Sequence, residues 1–112
     1  MDSRQLAVLA AKTMDNKKAE DVLILHVEEK SSFADYFVLA SGKSERQIGA
    51  LADEVEDAFA KEGALARNIE GKKESGWILM DFGDVIVNVL TEEMRGRYNI
   101  EKVWADCEVI TE

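Results

Sequence analysis

The 112-residue chain contains no proline, one cysteine and one histidine, and its acids far outnumber its cations. Without proline, every turn has to be built from Gly, Asn, Asp and Ser, whose small or self-bonding side chains tolerate tight backbone. The lone Cys107 excludes an intramolecular disulfide and a multi-cysteine zinc site. His26 stands in the middle of an apolar run, and no Ser/His/Asp or Cys/His partnership assembles around it. The longest unbroken apolar run, Leu6 to Ala11, is far too short to span a bilayer. Met1-Asp2-Ser3-Arg4 lacks the basic-then-apolar order of a signal peptide. Fourteen Lys plus Arg against 23 Asp plus Glu leave a net charge of −9. That balance argues against a protein held mainly by nucleic-acid phosphates or by anionic lipid, both of which need a basic face. The expectation is one small, reduced, acidic domain over residues 1–112, working in the cytoplasm.

What is present is an ordinary globular composition, 46% apolar and 33% charged. The acid is concentrated. Residues 45–62 carry six acids and two bases, and residues 91–112 carry six and three. A solvated helix face is the plain reading of the first cluster.

Leu6, Leu9, Ala10 and Thr13 fall on one stripe, which predicts a helix over 3–15, with Asp2 and Gln5 as a capping box. Val22 to Val27 and Tyr36 to Ala40 are short apolar runs of strand length, too continuous to be half exposed. The clearest helix is 44–62: Ile48, Leu51, Ala52, Val55, Ala58 and Phe59 form one apolar stripe. Ser44 and Gln47 supply its capping box, and Gly63 suits a left-handed stop. Ala64 to Ile69 is a weak strand candidate, and Glu70 to Gly76 reads as a mobile polar loop. Trp77 to Asp81 and Val85 to Leu90 read as an antiparallel hairpin turning at Phe82-Gly83. Met94 to Trp104 suggests a short helix or turn, with a last strand at Cys107 to Ile110. The fold expected is α/β or α+β, with a mixed five-stranded sheet and flanking helices.

Two short motifs invite catalytic readings and neither stands. Ser41-Gly42-Lys43-Ser44 follows a strand and opens a helix, as a phosphate-binding loop does, but Phe37 occupies the position of that motif's first glycine. Asp81-Phe82-Gly83-Asp84 has the letters of a kinase magnesium motif in a chain too short for a kinase. Two carboxylates three apart across a hairpin turn do not make a two-metal site. No catalytic residue, metal or cofactor is expected. Tryptophan and tyrosine among acids, at Trp77, Tyr98 and Trp104, also fit a protein-binding patch.

Three stretches carry a resemblance: Ala34 to Gln47, Trp77 to Val87, and Arg95-x-x-Tyr98-Asn99-Ile100-Glu101-Lys102-Val103-Trp104. Together they resemble the Iojap family, whose bacterial members are ribosomal silencing factors. Asn88 stands where the family commonly has histidine, and Arg97 where it commonly has an aromatic residue. The resemblance implies a nucleotidyltransferase-like outline and a function without catalysis. It implies binding to a large-subunit ribosomal protein, the one numbered fourteen. Occupying that protein's subunit-facing surface blocks joining of the large and small subunits and lowers translation when nutrients are scarce. It also implies self-association as a homodimer. An acidic chain complements a basic ribosomal protein rather than RNA, so no direct nucleic-acid contact and no membrane contact are expected. Trp77, Tyr98 and Trp104 are then the expected apolar anchors, and Asp81, Asp84 and Glu101 the acids facing Lys or Arg. Arg95 is expected to brace these acids. A rival patch is Ser44, Arg46 and Gln47. A nucleotide-handling enzyme and a dimeric adaptor with another partner are the alternative functions.

Overall fold

The computed structural model describes residues 1–111. Helix α1 (Ser3–Asn16) is followed by strands β1 (Glu20–His26) and β2 (Tyr36–Gly42), then helix α2 (Glu45–Lys61). Strands β3 (Asn68–Glu70), β4 (Trp77–Asp81) and β5 (Val85–Thr91) come next, then helix α3 (Glu92–Tyr98) and strand β6 (Glu108–Ile110). The sheet order is β3-β4-β5-β2-β1-β6. Among the described residues only β2 and β5 run parallel; every other neighbouring pair is antiparallel. A helix-bearing crossover is what a parallel pair requires, and α2 lies within the connection from β2 to β5.

The sheet therefore has six strands rather than the five expected, because both edges carry three-residue strands, β3 and β6. Strands that short leave little alternation to read. β3 is also later and shorter than the candidate at 64–69, since Arg67 N–H already bonds the Asp81 carbonyl at 2.7 Å and sets the ladder from there. The polar stretch 70–76 folds into a 3-10 turn, Lys73–Ser75, closed by the Ser75 hydroxyl on the Lys72 carbonyl at 2.7 Å.

Local chemistry sets the helix ends. Asp2 accepts the Gln5 N–H at 2.8 Å while Gln5 returns a side-chain contact to the Asp2 N–H at 3.0 Å, the reciprocal box expected. Ser44 accepts the Gln47 N–H at 3.1 Å, but the Gln47 carbonyl oxygen goes to the Lys43 N–H at 2.7 Å instead of closing the box. Gly63 takes φ +78° just past α2, as a left-handed stop should. The 81–85 hairpin turns through Gly83 at φ +93°, with Asp81 Oδ1 accepting the Gly83 N–H at 2.8 Å.

Alternation along the strands divides the interior in two. Ile24, Val38, Val87, Val89 and Met80 point to one face, under α1 and α2, where Phe59, Leu51 and Met14 are fully buried. Each such side chain contributes about 1.5–3 kcal/mol by leaving water. Leu25, Phe37, Leu39 and Ile86 point to the other face, which no long helix covers. Ile100, Trp104 and Cys107 of the C-terminal segment cross it instead.

Candidate functional site

The second face of the sheet brings together most of the residues singled out in the sequence. Register places Leu25, Phe37, Ile86 and Asp81 in one row across β1, β2, β5 and β4. Leu23, Leu39, Asn88 and Leu79 form the next row, and Ser41, Leu90 and Trp77 the row after that. Two aromatic clusters mark the ends. Trp77 packs on Tyr98 with ring centroids 5.3 Å apart. Trp104 meets Phe37 edge-on at 5.0 Å, and Phe37 in turn meets Phe33 at 6.1 Å. Phe37 and Ser41 are four residues apart on β2, so the clusters are offset by about 13 Å along the strand direction, with Trp77 two strands across on β4.

Trp77 is held by Asn88, whose Oδ1 accepts its indole N–H at 3.0 Å. Asn88 is buried, and this bond gives a polar group in the middle of an apolar face its partner. Beside Trp77 lies a concavity of about 350 Å³ formed with Leu79, Met94 and Gly71. Tyr98 is 52% exposed, and Phe33 is 61% exposed at the other end. An indole ring half in water beside an apolar hollow is the kind of group that anchors a protein contact.

The expected acids are placed differently from one another. Asp84 is exposed in the hairpin turn, and its carbonyl accepts the N–H groups of Asp35 and Tyr36 at 2.8 and 3.0 Å. Asp81 ends β4 half-buried, with one carboxylate oxygen engaged by Gly83. Glu101 is turned inward. Its Oε2 accepts from Arg95 Nε at 3.2 Å, and its other oxygen is shielded without a hydrogen bond. Arg95 is itself buried and also donates from Nη1 to the Asp21 carbonyl and the Ser41 hydroxyl. The structure thus brings Trp77 to Tyr98 and Glu101 to Arg95, and sets Trp104 at the far end with the hairpin acids.

Phe33, Phe37 and Leu79 belong to this face and were not picked out as contacts in the sequence. Phe33 had a signal, an aromatic in the polar stretch Ser31-Ser32-Phe33. Phe37 and Leu79 had none, because a strand residue facing a half-covered side looks like any core residue.

The rival patch lies at the β2–α2 junction. Lys43 Nζ is 3.3 Å from Glu20, and Ser44 and Gln47 are occupied in capping. A hydrogen bond with Glu20 holds the Glu92 carboxyl above the usual carboxylate range, while Glu92 and Lys43 hold Glu20 below it. The backbone there forms a turn and a helix cap, with no loop wrapped for a triphosphate. No group of three or more potential metal ligands occurs among the described residues.

The family described as "Ribosomal silencing factor during starvation" matches residues 1–112. The chain is 40% identical over 107 residues to the ribosomal silencing factor RsfS of Bacillus subtilis, covering 96% of this chain and 91% of that protein. A crystal structure of a Chromobacterium violaceum protein superposes with a TM-score of 0.90 at 30% identity, covering 94% of this chain and 88% of that one. A more distant mouse protein, named for mitochondrial assembly of the ribosomal large subunit, is 29% identical over 91 residues, 79% of this chain and 40% of that protein.

Proposed function

The chain belongs to the family of ribosomal silencing factors, and from that premise we propose that it docks on the large ribosomal subunit through the half-covered face of its sheet. The partner is the basic large-subunit protein numbered fourteen, and the bound domain stands where the small subunit would join. Translation then falls when nutrients are scarce, without any bond being made or broken. The observation that carries this reading is the face itself: Trp77, Tyr98 and Trp104 present half-buried or exposed rings on one side of a sheet whose other side is sealed by α1 and α2. Asp81 and Asp84 stand at the hairpin end of that face, where they meet Lys or Arg of the partner. Glu101 serves the same surface from beneath, by pairing with Arg95. The mouse relative's name, which concerns the ribosomal large subunit, supports the choice of subunit. Action on ribosomes places the protein in the bacterial cytoplasm, and steric exclusion asks for no cofactor.

Sedimentation through sucrose gradients tests this. The protein is expected to comigrate with free large subunits, to be absent from joined ribosomes, and to lower the joined fraction when added to both subunits. Trp77→Ala combined with Asp84→Lys is expected to weaken large-subunit binding by at least about tenfold, since aromatic anchors and charge reversals each matter by 1 kcal/mol or more. Unchanged binding by the folded double variant would overturn the choice of face. Failure of the native protein to bind large subunits would overturn the function.

A further inference from the structure

We infer that Arg95 is the positioning residue of the docking face, the group that sets the C-terminal segment across the sheet and so brings Tyr98 and Trp104 to the surface. The inference rests on the docking function proposed above and adds how the face is assembled. Between the end of α3 and β6 the backbone hydrogen bonds described for the segment are all internal: Asn99 to Arg95, Lys102 to Asn99, Val103 to Ile100, Trp104 to Glu101, Ala105 to Lys102 and Cys107 to Trp104. No main-chain ladder ties residues 99–107 to the sheet among those bonds. The segment is held by side chains, and among the polar ones Arg95 is the buried tie. The other ion pair to the segment, Lys30 with Asp106, is exposed at both ends.

The guanidinium reaches three elements at once. Nη1 donates to the Asp21 carbonyl on β1 and to the Ser41 hydroxyl on β2, at 3.1 Å for the latter. Nε donates to Glu101 at 3.2 Å, in the 3-10 turn Ile100–Lys102. The Asp21 carbonyl points there because β1 carries one extra residue between Glu20 and Leu23 and Asp21 adopts φ +50°. A planar fork of fixed donors can bridge strand and turn in this way, and a lysine ammonium on a flexible stem cannot reproduce it. The Arg95 carbonyl also accepts the Asn99 N–H at 3.0 Å, where Asn99 turns the chain at φ +46°. One residue therefore fixes both the corner after α3 and the seat of the turn that carries Trp104.

A double-mutant cycle on large-subunit affinity tests this. Arg95→Met and Trp104→Ala are each expected to weaken binding by about tenfold, with the double variant no weaker than the worse single one, because Arg95→Met already displaces Trp104. Arg95→Lys is expected to behave like Arg95→Met. Multiplying losses in the double variant would show that Arg95 acts only on overall stability and would overturn the inference. Hydrogen exchange gives a reading that needs no ribosome: in Arg95→Met, residues 99–107 are expected to lose protection while α2 and β2 keep theirs. Equal loss everywhere, or none in 99–107, overturns the inference even if the native protein fails to bind ribosomes. Should Arg95→Met not fold, Ser41→Ala and Glu101→Met each remove one acceptor of the guanidinium and keep the cation; both are expected to deprotect the same segment, and neither doing so overturns the inference.

Discussion

Single residues on this molecule act through the partners the fold gives them. Asn88 sits where a histidine is common in the family the chain resembles, and here its side chain is the acceptor for Trp77. The departure noted in the sequence therefore falls on the group that holds the Trp77 indole, a ring proposed as an anchor. Glu101 shows the limit of reading acids from a sequence: nothing in Asn99-Ile100-Glu101-Lys102 tells that Arg95, six residues earlier, will draw the carboxylate inward. Of the three acids Arg95 was expected to brace, it pairs with Glu101 and not with Asp81 or Asp84 among the described residues, so that role was legible only in part. The bonds of Arg95 to Asp21 and Ser41 were not legible, being 74 and 54 residues distant. His26 is the one histidine of the chain. It stacks on Tyr36 at 4.8 Å, and its ring nitrogens face Glu28 at 3.1 Å and Glu108 at 3.3 Å. The Glu28 hydrogen bond first, and that of Glu108 after it, hold the His26 pKa above its ordinary 6.5. A folded value above the unfolded one means the stabilisation is fully present below about pH 6.5 and is lost as pH rises through the folded value. NMR titration is expected to show His26 above its ordinary value in the native protein. Glu28→Gln should lower it more than Glu108→Gln.

At the scale of elements, the parts with local causes were readable and the parts held from afar were not. The stripe from Ile48 to Phe59, the Ser44 cap and Gly63 lie within one segment, and α2 folds as they require. α1 and the hairpin follow for the same reason. The half of the Ser44 box that failed to close did so because Gln47 also reaches the Lys18 carbonyl at 3.3 Å, a contact across 29 residues. The turn at 73–75, read as mobile, is fixed by where β4 begins. Gly71, at φ +82°, lies so close to the Trp77 carbonyl that an added Cβ would come within 2.2 Å of its oxygen. Gly63, at φ +78°, has nothing within 4 Å of that position. Gly71→Ala is accordingly expected to lower stability by about 2 kcal/mol or more, and Gly63→Ala by about 1 kcal/mol, the left-handed backbone penalty alone. Denaturant unfolding of the two variants checks the difference. The seat of the 98–107 segment on the sheet escaped sequence reading altogether, since short turns carry no periodicity and its docking contacts come from β1, β2 and β4.

Across the whole molecule, the acids of 45–62 and the rings proposed as contacts lie on opposite faces of the sheet, while the second acidic stretch, 91–112, runs along the ring-bearing face. The acids concentrated in 45–62 decorate α2, which covers one face of the sheet, whereas the aromatic rings lie on the other. Acid on α2 therefore cannot touch a partner seated on the rings; in the proposed complex it acts only through the field that draws a basic partner in. Such steering acts on the association rate and is screened within about 8 Å at physiological salt. Raising salt from about 0.05 to 0.5 M is expected to slow association with large subunits severalfold while changing dissociation little. Stopped-flow mixing separates the two rates. Neutralising α2 acids by Asp53→Asn and Asp57→Asn should flatten that dependence without altering dissociation. The division into two faces has a thermal consequence as well. A sheet sealed on one side and only strapped on the other is a core left partly unfinished, which in the proposed complex the partner completes. Docking then resembles a late step of folding, burying apolar rings and lowering heat capacity as folding does. The enthalpy of association should fall steadily with temperature, so the complex is drawn together by water's release in the cold and by the contacts themselves in the warm.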